Sequence, residues 1–140
     1  MYFAEKELDI NNPHDYELGM RTFKEETLSN IDHYLQMQKE AGLYVKVLMQ
    51  VKNHSILLEI RNNSEMNKTE FKRVFDKIAR SRQFSSLEEA FSQVMDDSEG
   101  AGLGLVIMIL MLKKVGLNDD NYEVFVEKGE TITRIIMPMD

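Results

Sequence analysis

Gly100-Ala101-Gly102-Leu103-Gly104-Leu105 opens straight into the apolar run that ends at Leu112. Glycine permits tight backbone turns, and the free N–H groups at a helix start attract phosphate. The chemistry on offer is an anion held by backbone rather than by side chains. The same glycines would also suit a loop followed by a closely packed helix, and the residues alone leave both readings open. Two better-known phosphate motifs are excluded. There is no Gly-Lys-Ser/Thr, so the loop is not a P-loop. The dinucleotide fingerprint needs a glycine three residues after its second glycine, where Leu105 stands, and it follows a strand rather than a helix. Cysteine is absent, which removes thiolate zinc sites, iron–sulfur clusters, disulfides and a cysteine nucleophile. His14, His33 and His54 lack the H-x-x-x-H spacing of a histidine zinc site.

The elements that must position such a loop follow from periodicity. Tyr2 to Ile10 alternates in part before Asn11-Asn12-Pro13, which predicts a short first strand and a turn. Asp15 to Ala41 reads as an amphipathic helix with a break near Gly19, and Gly42 occupies a C-cap position. The period then changes. Tyr44–Val51 and Ile56–Ile60 predict a hairpin across Lys52-Asn53-His54-Ser55. Phe71, Val74, Phe75 and Ile78 lie on one face of a helix over Lys68–Arg80. Ser85 with Glu88, or Ser86 with Glu89, fits a capping box ahead of a shorter helix to about Met95. Leu103 to Lys114 is an apolar helix closed by Gly116, and a second hairpin runs from Tyr122 to Met137 around Lys128-Gly129-Glu130. Hairpins with segregated helices predict an α+β, two-layer α/β sandwich over residues 1–140 as a single domain.

In this setting, Gly-x-Gly-Leu-Gly-Leu before an apolar helix resembles the second glycine box of the GHKL superfamily, the ATP-binding domains of gyrase, Hsp90, histidine kinases and MutL. Glu26-Thr27-Leu28-Ser29-Asn30 resembles that family's N box. A spacing of four places Glu26 and Asn30 on one helical face. Ile56 to Ser64, followed by Glu70 to Phe75, is similar to the strand, first glycine box and following helix. Gly129-Glu130-Thr131 resembles the terminal Gly-x-Gly-Thr hairpin. The resemblance covers about residue 15 to Pro138. It implies a Bergerat-type sandwich with a mixed, mostly antiparallel sheet covered by helices on one face, and ATP with Mg2+ as cofactors. It gives Glu26 the role of catalytic base and Asn30 that of magnesium ligand. Nucleotide contacts fall on Asn30, His33, Asn62, Gly100, Gly102, Leu103, Gly104, Leu105 and Thr131. The sequence departs from the family at the first glycine box, where Asn62 replaces the adenine-binding Asp and Ser64 and Met66 replace two glycines. Asn keeps an acceptor for adenine but loses the charge that strengthens the bond.

By resemblance, the function is a stand-alone ATP-binding signalling domain similar to anti-sigma-factor serine kinases or to a detached histidine-kinase catalytic domain. It would be a protein kinase or ATPase acting on a separate regulatory protein, alone or as a homodimer. The alternative is a degenerate GHKL module that binds a protein, or another small ligand, without ATP turnover. Seventeen basic residues against 24 acidic give 17 − 24 = −7, with no basic cluster to hold nucleic acid. That charge also disfavours anionic membranes. The acidic N-terminus lacks signal-peptide character, and the apolar run of Leu103–Leu112 is about half of the roughly 20 residues a membrane helix needs. A cytoplasmic location follows as the expectation. The length leaves no room for a phosphoacceptor domain, so signalling is expected to pass to another chain.

Overall fold

The computed structural model describes residues 1–94 and 103–139. The chain is α+β, as a two-layer α/β sandwich requires. Its helices are α1 (Tyr2–Glu5), α2 (Pro13–Ser29), α3 (Ile31–Glu40), α4 (Lys68–Ser81), α5 (Leu87–Val94) and α6 (Leu103–Lys114). Its strands are β1 (Val45–Lys52), β2 (Ser55–Asn62), β3 (Tyr122–Glu127) and β4 (Glu130–Pro138). They form one sheet in the order β1-β2-β4-β3. All three pairings are antiparallel, so the described sheet is wholly antiparallel rather than mixed. The fold divides into two compact units. One comprises Met1–Gly42 and Asn67–Ile107, the other Leu43–Met66 and Met108–Asp140.

In the first unit, the predicted first strand is a helical turn instead. Its alternation is only partial, and what decides the conformation is one large aromatic. Tyr2 is buried in α1, with its ring edge-on to Phe23 at 5.2 Å and tilted against Tyr34 at 6.1 Å. The long helix does break, but at Asn30, between α2 and α3, rather than at Gly19. Gly19 lies within α2, where a Cβ would stand 2.6 Å from the Phe3 ring. It is the place where the N-terminal turn meets α2. The start of α2 is built from Asn12, whose Oδ1 accepts the His14 and Asp15 N–H groups, and from Pro13 at the first helical position. A reciprocal capping box of Asn67 and Glu70 opens α4. At α5, Ser86 Oγ accepts the Glu89 N–H, while the Glu89 carboxylate accepts from the Ser85 N–H and hydroxyl. Ile78, Phe84, Ala90 and Val106 are buried in this unit.

In the second unit, both hairpins close through two-residue turns in the left-handed region. These are Asn53-His54 (φ 52° and 56°) and Lys128-Gly129 (φ 51° and 80°). Such turns match the twist of the strands they join. α6 ends in a Schellman arrangement. The Leu117 N–H donates to the Leu112 carbonyl at 2.9 Å and the Gly116 N–H to that of Lys113 at 3.0 Å, with Gly116 at φ 87°. Ile109, Ile132, Ile135 and Tyr122 are buried here.

Candidate functional site

The residues that the GHKL resemblance selects fall into two groups. In the first unit, Glu26 sits in the last turn of α2. Lys6 Nζ lies 2.6 Å from its Oε2, and the Tyr2 hydroxyl donates to the same oxygen at 3.2 Å. The Lys6 ammonium holds the Glu26 carboxyl below the ordinary carboxylate range against desolvation, with a lesser contribution from the Tyr2 hydroxyl. A base is most effective when its pKa lies near the working pH, so this clamp works against proton abstraction. Asn30 is both the C-cap of α2 and the N-cap of α3. Its Nδ2 donates to the Glu26 carbonyl at 2.9 Å, which orients the side-chain amide. His33 Nε2 lies 2.8 Å from Glu5 Oε1, and its ring meets Tyr34 edge-on at 5.1 Å. The Glu5 carboxylate pushes the Tyr34 phenol up to about 12.

A hollow of about 270 Å³ lies against the α2–α3 junction, lined by Tyr2, Phe23, Leu28, Ile31, Tyr34 and Leu35 among others. Its wall is chiefly apolar, and Glu26, Asn30 and His33 are not among its lining residues.

Gly104 and Leu105 form the first turn of α6. A Cβ on Gly104 would meet nothing within 4 Å among the described residues. Leu103 begins the helix. Gly100 and Gly102 lie outside the described residues.

The second unit brings together two residues that are far apart in sequence. Asn62 ends β2, and its register partner on β4 is Thr131. Ser64 ties them to one another: its N–H donates to Asn62 Oδ1 at 3.1 Å, and its carbonyl accepts from the Thr131 hydroxyl at 2.6 Å. Thr131 is buried. Asn63 lies beside them, and its Oδ1 accepts the Tyr44 N–H.

The sheet also carries a charge network that sequence reading did not single out. Glu59 is buried, and Arg61 Nε donates to its Oε2 at 2.8 Å while Arg134 Nε donates to its Oε1 at 2.9 Å. Glu123 accepts from Arg134 Nη1 at 2.9 Å, and Glu130 lies 3.6 Å from Arg61 Nη1. Arg61 first, then Arg134, hold the Glu59 carboxyl below its ordinary range against its desolvation. This network borders a concavity of about 410 Å³ lined by Lys46, Leu48, Gln50, Leu57, Glu59 and Arg61 among others. The alternation of Leu57, Glu59 and Arg61 places them on one face, but only the β2–β4 register brings Arg134 opposite Glu59.

No family model matches the chain, and no solved structure matches it. A protein of Treponema pallidum (strain Nichols), described as uncharacterized, is 57% identical over 138 residues. The match takes in 99% of this chain, and the chain spans 27% of that relative's length.

Proposed function

We propose that the chain is an ATP-binding signalling domain of GHKL type. In the second unit, the adenine contacts are Asn62 and Thr131; the resemblance assigns phosphate contacts to Leu103, Gly104 and Leu105 and magnesium to Asn30. The observation that carries this reading is the register. Asn62 and Thr131, 69 positions apart (131 − 62), face each other on adjacent strands, and Ser64 is bonded to both. A half-buried Asn62 beside a buried Thr131 at a strand end is the kind of fixed donor–acceptor group that reads a heterocycle edge. Gly104 is exposed, and among the described residues nothing lies within 4 Å of a Cβ built there, which supports an anion-binding role for this helix start. The domain acts on a protein partner, by phosphoryl transfer or ATP hydrolysis, in the cytoplasm. Among the described residues, no helix is long and apolar enough to cross a membrane.

A second reading has its own observation. Glu26, the base of the proposed chemistry, is clamped by Lys6 and Tyr2. That favours nucleotide-dependent or nucleotide-free partner binding without turnover. Calorimetric titration with Mg-ATP tests both readings. Saturable binding is expected, weakened about tenfold (~1.4 kcal/mol) in Asn30→Ala and in Asn62→Ala. No heat at millimolar nucleotide would sink the ATP reading. Binding without release of phosphate, alone or with a partner, would leave the second.

A further inference from the structure

β1 is an edge strand, and among the described residues it pairs with β2 alone. Lys52 and Ser55 flank a two-residue turn, so this pair exchanges both of its backbone hydrogen bonds. Counting back by twos, Lys46, Leu48 and Gln50 direct their N–H and C=O groups to β2. Val45, Val47, Met49 and Val51 direct theirs outward, away from the sheet. The side chains of these same four residues share one face and are 69%, 66%, 68% and 70% exposed. The outward positions contain no proline and no charge, the devices by which natural edges prevent strand addition.

We propose that this edge pairs antiparallel with β1 of a second copy of the chain, joining two four-stranded sheets across a twofold axis at Leu48. The occupant follows from self-complementarity, which a twofold interface demands. With Leu48 opposite Leu48 of the second copy, Val47 meets Met49 and Val45 meets Val51. Every outward-facing residue of the strand then finds an outward-facing partner within the strand. Charge selects the same register. Lys46 faces Gln50, and Lys52 faces Tyr44, a residue whose ring already lies 4.3 Å from the Lys46 ammonium within its own chain. Centring the pair on Met49 instead would put Lys46 directly opposite Lys52, which is destabilising. Centring it on Val47 would leave Val51 opposite Leu43, outside the strand. The pairing involves none of the proposed nucleotide contacts, so it stands or falls separately from the ATP reading.

Sedimentation equilibrium of the whole chain tests it. A reversible dimer is expected over about 1–200 μM, the range typical of an interface this modest. Val47→Pro removes an outward N–H and leaves the β2 bonds intact, so it is expected to give a monomer with an unchanged far-UV spectrum. Val47→Glu should weaken the dimer about tenfold, and Val47→Glu with Met49→Lys should recover most of that loss, because the two positions face each other across the axis. A monomer throughout that range would overturn the proposal, as would a dimer indifferent to Val47→Pro. A double variant no tighter than Val47→Glu would overturn the register.

Discussion

Glu59 is the residue whose ionisation the fold has committed to. Its carboxylate is buried between two guanidinium groups that approach from its own strand and from β4. Removing one charge from such a set leaves the others uncompensated. Arg61 and Arg134 retain 28% and 29% side-chain exposure, so water softens the loss. Glu59→Gln is therefore expected to lower stability by about 2–3 kcal/mol, read from the urea midpoint. The pH dependence has a definite sign. The folded-state carboxyl sits below its ordinary value, so its contribution is complete above the ordinary carboxylate range. It is lost as pH falls through the lower folded-state midpoint. Acid titration of the wild type should show this loss, and Glu59→Gln should flatten that part of the profile. An equal acid slope in both proteins would remove Glu59 from this role. Glu26 is lowered too, but its side chain is 36% exposed, and its solvent-screened ion pair with Lys6 matters for the chemistry available at α2 rather than for stability.

At the scale of elements, local signals and tertiary contacts divide the work. α4 begins where Asn67 and Glu70 satisfy each other's backbone N–H groups. Asn67→Ala should cost about 1 kcal/mol, and adding Glu70→Ala should cost less than its separate effect because the pair acts as one unit. Additive losses in the double variant would contradict a reciprocal cap. The hairpins were legible in sequence because β-branched alternation and short polar turns are local features, and they form with boundaries shifted by one or two residues. The helix from Asp15 to Ala41 was legible as helix, but its break was not. Gly19 has the lower intrinsic propensity, yet its missing side chain is filled by Phe3, and Asn30 interrupts the helix by bonding back to Glu26. Tyr2–Glu5 carried a misleading strand pattern because the aromatic contacts that make it a helical turn come from Phe23 and Tyr34, more than 20 residues away.

For the molecule as a whole, chain order and spatial order differ. The chain passes between its two compact units after Gly42, after Met66 and after Ile107, so neither unit is a continuous segment. The inner strand β2 takes one neighbour from the adjacent hairpin strand and the other from the C-terminal hairpin. A chain ending at Gly116 would leave β2 with β1 alone, and an isolated two-stranded hairpin is marginal in water. Such a truncation is expected to lose its strand signal in circular dichroism and its cooperative thermal transition. A retained cooperative melt would show that the β1–β2 hairpin is supported without β4. The relative from Treponema pallidum places the matching segment within a longer protein, so the activity proposed here belongs to this segment and the activity of that whole protein is a separate question.

The sequence by itself determined the helical segments over 15–41, 68–80, 87–95 and 103–114, the two hairpins, the absence of thiol chemistry and the glycines around the start of α6. Each of these depends on residues within a turn or two of one another, where spacing dictates geometry. Only the tertiary structure decided that Asn62 meets Thr131, that Arg134 reaches Glu59, that Lys6 and Tyr2 occupy Glu26, and that β1 is left at an edge with an apolar face exposed. Those outcomes depend on strand order and register. Many pairings of the same strands would satisfy the same local periodicities, and burial and charge pairing choose among them only when the whole sheet is assembled.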